Sequence, residues 1–203
     1  MENAENRHES QILASELFQW VKAIFIAVIL ALLIRGFVFE PVQVLGPSME
    51  DTLFTGQRLV VYKLGYYFHA PAKGDIIVLQ YEEGLASKIP LIRDLPFIKK
   101  AFPAVNEVDY IKRVIAVPGD TVDLADGSLL INGKKYDESY TKGLTYKQIL
   151  DFPITVPPGK VFVLGDNRQN STDSRTIGLI EYNRIKGKAI LRIWPLNSFG
   201  SLY

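Results

Sequence analysis

Two side chains stand where nucleophilic chemistry is conceivable, Ser48 and Lys112. Ser48 lies in Gly46-Pro47-Ser48-Met49, directly after a short apolar run. A serine flanked by turn residues serves either a tight turn or attack on a carbonyl. Lys112 lies inside the apolar run Tyr110-Ile111-Lys112-Arg113-Val114-Ile115. Strand alternation puts Lys112 and Val114 on one face and Ile111 and Arg113 on the other. Taken alone, such a lysine reads as a solvent-facing side chain on a half-exposed strand. A third cluster is the polar loop Gly165-Asp166-Asn167-Arg168-Gln169-Asn170-Ser171-Thr172-Asp173-Ser174-Arg175. It fails the calcium-loop pattern, because Ser171 stands where Gly is needed and no Glu falls at the twelfth position. Only His8 and His69 are present, so a Ser-His-Asp triad would rest on His69, which sits near Pro71 in a turn-like stretch. The absence of Cys removes thiol catalysis, disulfides and Cys-based zinc sites. The residues call for no metal and no cofactor.

These groups must be carried by a scaffold, and the chain is long enough for one. It has 203 residues, of which 48% are hydrophobic. The net charge of +1 argues against nucleic acid as a partner, which needs a basic excess. Residues 1–16 read as a polar, loose, cytoplasmic tail. An apolar segment follows over 17–39, with Lys22 snorkelling and Trp20 at an interface position. A buried core helix and a cleaved leader compete with a single uncleaved membrane span, and the span is favoured. Arg7 and Lys22 precede the run and Arg35 follows it, which leans toward a cytoplasmic N-terminus.

Beyond the anchor, 40–203 reads as a mostly β domain outside the membrane, an antiparallel sheet, sandwich or barrel-like arrangement. Strands are expected over Pro41 to Leu45, Arg58 to Tyr62, Asp75 to Tyr81, Tyr110 to Val117, Ser128 to Ile131, Lys160 to Leu164 and Lys188 to Trp194. Asn132-Gly133 predicts a hairpin turn, because both residues tolerate positive φ. A small β subregion is expected over 121–160. Residues 82–108 are Pro-broken and amphiphilic, either a surface excursion or an insertion that touches a bilayer surface near Lys99 and Lys100.

In order, the chain carries Pro47-Ser48-Met49-x-x-Thr52-Leu53, Lys73-Gly74-Asp75, Tyr110-Ile111-Lys112-Arg113-Val114 with Pro118-Gly119-Asp120, and the 165–175 loop. This combination resembles the type I signal peptidases of bacteria and organelles, from the anchor to Trp194-Pro195. The resemblance implies Ser48 as nucleophile, Lys112 as general base and Ser171 as the hydroxyl that orients the Lys amine. It implies Asp173 and Arg175 as a supporting ion pair. It also implies secretory preproteins as substrates, a lipid bilayer as partner and a cell-membrane location with the catalytic face outward. Many relatives have Ser or Thr where this chain has Gly46, so the Ser48 backbone N–H is expected to serve the oxyanion. Asp51 replaces a common Pro, with little expected consequence.

The residue types suit that chemistry. A serine hydroxyl needs a base, and a lysine becomes one when burial disfavours its charge. An extended substrate could pair with strand edges near Pro41 to Leu45 and Asp109 to Lys112. Val42, Val44, Leu53, Asp109 and Ile111 are the candidate pocket residues. Two other readings stay open, a self-cleaving Ser-Lys protease and a non-enzymatic membrane-tethered β domain.

Overall fold

The computed structural model describes residues 2–82 and 108–203. Helix α1 spans Glu2–Leu33 and runs into a π-helical turn over Ile34–Val38. The segment Glu16–Val38 is long and apolar enough to cross a membrane. Its 23 residues reach roughly 34 Å at 1.5 Å per residue, enough for a hydrocarbon core of ~30 Å. Leu17, Phe18, Phe25 and Leu30 on this segment are exposed, as expected where lipid is the solvent. The backbone is helical from Glu2, so the polar stretch expected to be loose is helix instead. Glu, Ala, Gln and Leu are good helix formers, and extending an existing helix costs far less than nucleating one.

Strand β1 (Phe39–Gln43) follows this apolar segment directly and pairs with β2 (Arg58–Tyr62). The junction is tied by the buried Lys63, whose N–H donates to Val38 O and whose Nζ lies 3.0 Å from Glu40. Next come β3 (Ile76–Glu82) and β4 (Val108–Ala116), an antiparallel pair. The intervening residues 83–107, which hold almost all of the proposed insertion, lie outside the described residues. A small sheet follows, built from β5 (Thr121–Ala125), β6 (Ser128–Ile131), β7 (Lys134–Lys135) and β8 (Ile154–Thr155). Its β6–β7 turn has Asn132 at φ 54° and Gly133 at φ 77°, the left-handed pair that a two-residue hairpin demands.

The chain then returns through β9 (Lys160–Leu164), the short helix α2 (Ser174–Ile177), β10 (Ile180–Glu181), β11 (Ile185–Trp194) and β12 (Gly200–Ser201). The large sheet runs β1-β2-β11-β3-β4-β9-β10, with β12 on β11. All its pairings are antiparallel, and the order is an open path. The fold is therefore mostly β with antiparallel sheets. Ile115, Phe162 and Leu164 from the large sheet pack with Val122, Leu124 and Leu129 from the small one. A separate cluster of Val44, Met49, Leu53, Leu59 and Ile76 lies near the Ser48 turn.

One pairing detail matters for the site. β3 accompanies β4 along its length, from Val108 to Arg113. β9 pairs with β4 only from Arg113 onward. Among the described residues, the segment from Val108 to Lys112 therefore has a sheet partner on one side only.

Candidate active site

Ser48 is held by a turn that is anchored from below. Glu50 N–H bonds Pro47 O, and Leu53 N–H bonds Met49 O at 2.7 Å. Met49 and Leu53 bury their side chains, which fixes the turn onto the sheet. Gly46 has φ +84°, a conformation that favours glycine and lets the chain reverse just before Ser48. Asn167 N–H donates to Ser48 O at 3.1 Å, tying the turn to the 165–175 loop. The Ser48 side chain stays half-exposed.

Lys112 projects from β4 and is 2% exposed. Its Nζ lies 2.8 Å from Ser48 Oγ and donates to Ile111 O at 2.9 Å. The Tyr110 ring centroid is 5.0 Å from the same nitrogen. A solvent-facing lysine is thereby excluded. Burial lowers the amine's pKa to about 8, while the nearby carboxylates of Asp173 and Asp166 push back upward. That drop corresponds to about 3 kcal/mol of disfavoured charge.

Both opposing carboxylates are engaged elsewhere. Asp166 takes two bonds from Arg113, at 2.9 and 2.7 Å, and one from the Thr52 hydroxyl at 2.5 Å. Asp173 takes two from Arg175, each 2.8 Å, and caps the N-terminus of α2. A third guanidinium, Arg168, is paired with Glu138 and donates to Gly165 O. Three buried guanidiniums thus meet three carboxylates, and the amine of Lys112 is left outside these pairs. Gly165 permits the close approach: a Cβ there would sit 2.2 Å from Ser171 Oγ and 2.4 Å from Ser48 O.

A cleft of about 540 Å³ opens over the two residues. Val42, Val44, Asp109 and Ile111 line it, as do Val78, Tyr110, Asn170 and Thr172, which sequence reasoning missed. Leu53 does not line it. It is fully buried in the cluster with Met49, because the turn after Ser48 folds it inward. Ser171 Oγ is buried beside Gly165 without a hydrogen-bond partner, so it does not touch the Lys112 amine in this arrangement. His69 is exposed and lies outside the cleft. Arg113, Asp166, Arg168, Glu138 and Thr52 were not singled out from sequence. Four of them lie inside the quoted sequence blocks without a role of their own being legible there, and Glu138 carries no signal beyond its charge.

The sequence profile of the signal peptidases, peptidase S26, matches residues 17–194. The chain belongs to the signal peptidase family S26. Serine endopeptidases of this family use a Ser-Lys mechanism, and the N-terminal apolar helix fits their membrane association. The chain is 43% identical over 192 residues to signal peptidase I of Bacillus licheniformis, covering 90% of this chain and 91% of that one. It is 40% identical over 188 residues to signal peptidase I of Leptolyngbya laminosa, covering 93% and 85%. A crystal structure of a signal peptidase I from Enterococcus faecalis is 29% identical and covers 59% of this chain and 97% of its own, with a TM-score of 0.38.

Proposed function

We propose that this chain is a membrane-bound endopeptidase that removes signal peptides from secretory preproteins, with Ser48 as nucleophile and Lys112 as general base. The observation that carries the residue assignment is the 2.8 Å approach of a dry Lys112 amine to Ser48 Oγ. The neutral amine takes the hydroxyl proton as Oγ attacks the scissile carbonyl carbon. The resulting oxyanion is received by the Ser48 N–H. The ammonium of Lys112 then returns its proton to the leaving amine, and an ester on Ser48 remains. Water attacks this ester with Lys112 again as base, releasing the acid and restoring both residues.

Substrate enters as an added strand. The stretch of β4 up to Lys112, which among the described residues has a neighbouring strand on one side, and the edge strand β1 flank the cleft, so an extended peptide can add alongside either. Val42, Val44 and Ile111 form shallow apolar walls that take small side chains and exclude large ones. Ser171, whose hydroxyl and the Ser48 carbonyl both border Gly165, serves as the hydroxyl that orients the amine once substrate is bound. The Asp173–Arg175 pair holds that loop. The anchor, with its N-terminus cytoplasmic, keeps the cleft at the outer membrane surface where the substrate's own apolar segment lies.

The test uses the full chain in detergent or vesicles with a secretory precursor, followed by sequencing of the new N-terminus. Cleavage after a small residue is the expected result. Undiminished cleavage by purified Lys112→Ala would overturn the dyad.

A further inference from the structure

A segment outside the cleft is bonded to the loop that holds the Ser48 turn. Residues 138–145, between β7 and β8, run across the 165–170 loop. Lys142 N–H donates to Asp166 O at 2.8 Å, and Arg168 N–H donates to Lys142 O at 2.9 Å. Arg168 Nη1 reaches Thr145 Oγ1 at 2.5 Å. Glu138 accepts from Arg168 and, at 2.9 Å, from the Tyr140 hydroxyl. The Tyr140 ring covers the Arg113 guanidinium, with its centroid 3.9 Å from Cζ.

From there the connections run to both reacting groups. Arg113 follows Lys112 in β4 and grips Asp166. Asp166 accepts the Thr52 hydroxyl, and Thr52 N–H closes on Met49 O, one residue past Ser48. Asn167, next to Asp166, holds Ser48 O. An aromatic cover over a guanidinium keeps water from its ion pair and fixes its plane. Misplacement of a reacting group by about 1 Å can cost on the order of 100-fold in rate.

We propose that the 138–145 segment is a positioning strap for the dyad, with Tyr140 and Glu138 as its working residues. The strap rests on the Ser48–Lys112 reading. Neither residue lines the cleft, so loss of the strap lowers kcat and leaves KM.

The experiment measures kcat and KM on a signal-peptide substrate, with active sites counted by a covalent acylating inhibitor of Ser48. Tyr140→Ala is expected to lower kcat per titrated site about tenfold or more, with KM within about twofold. Tyr140→Phe keeps the ring over Arg113 and is expected to stay within about threefold of the unaltered enzyme. Glu138→Gln, which keeps the shape and removes the charge, is expected to lower kcat severalfold, and it carries the test should Tyr140→Ala not fold. Unchanged kcat per site in the folded variants, or a loss matched by the loss of titratable sites, overturns the strap. Lys112→Ala in parallel separates the two ideas: if it is dead while the strap variants match the unaltered enzyme, only the strap falls.

Discussion

Arg113 holds the carboxylate of Asp166 with two hydrogen bonds, one residue beyond Lys112 in β4. The strand that presents the amine therefore also supplies the cation that occupies one of the two carboxylates opposing it. Asp173 is treated the same way by Arg175. An unpaired carboxylate in either place would keep the amine charged and useless as a base.

The first prediction concerns pH. With the Lys112 amine near 8, only its neutral fraction accepts the Ser48 proton. The rate should climb about tenfold per pH unit below that value and level off above it. Steady-state assays from pH 6 to 10 read this directly. Ser48→Ala and Lys112→Ala should each lose at least about 1,000-fold.

Lys112 should also destabilise the fold at neutral pH. Its pKa falls from 10.5 unfolded to about 8 folded, so the folded state binds fewer protons between those values. Stability is lost as pH falls through that window, and the full cost is present below about 8. Lys112→Met should gain up to about 3 kcal/mol at pH 7, shrinking toward nothing above about pH 10.5. Urea unfolding at several pH values checks the sign and the window.

Breaking the Asp173–Arg175 pair should do two things at once. Arg175→Met leaves a buried carboxylate without its partner, at a cost of about 3–5 kcal/mol. The freed charge of Asp173 also raises the Lys112 pKa, so the rise of rate with pH should move to higher pH. Denaturant melts and the pH–rate profile of the surviving folded protein report these separately.

Ser171 and Gly165 make a contrasting pair. Ser171→Ala removes a buried hydroxyl without a partner, so stability should hold or rise by about 1 kcal/mol. If the hydroxyl orients the amine once substrate is bound, kcat should still fall about tenfold or more. Gly165→Ala pushes a methyl onto Ser171 and the Ser48 carbonyl, and activity should fall by about 100-fold or more. Thermal melts paired with kcat distinguish the two.

Much of this was legible one residue at a time. Asn132-Gly133 names its own turn, because only a few residues accept positive φ. The apolar helix declares itself by continuous apolarity, though it reaches back to Glu2 where composition alone suggests a loose tail. The order of Ser48, Lys112 and the 165–175 loop pointed to the chemistry. Leu53 was misread because spacing from Ser48 does not say which way a turn folds its side chains.

What the sequence alone determined is local: which segments are apolar, where the chain must turn, and which reactive side chains it owns. What only the tertiary structure decided is the state of those side chains. Lys112 sits 64 positions from Ser48, and nothing in its own strand dictates that it be dry. Its burial comes from the strands and the Ser48 turn assembled around it, and its lowered pKa survives because the opposing carboxylates are paired with Arg113 and Arg175. Tyr140 and Glu138 bond groups nearly 30 positions away in either direction. A pKa is a property of the surrounding medium and charges, and those are assembled only when distant strands meet.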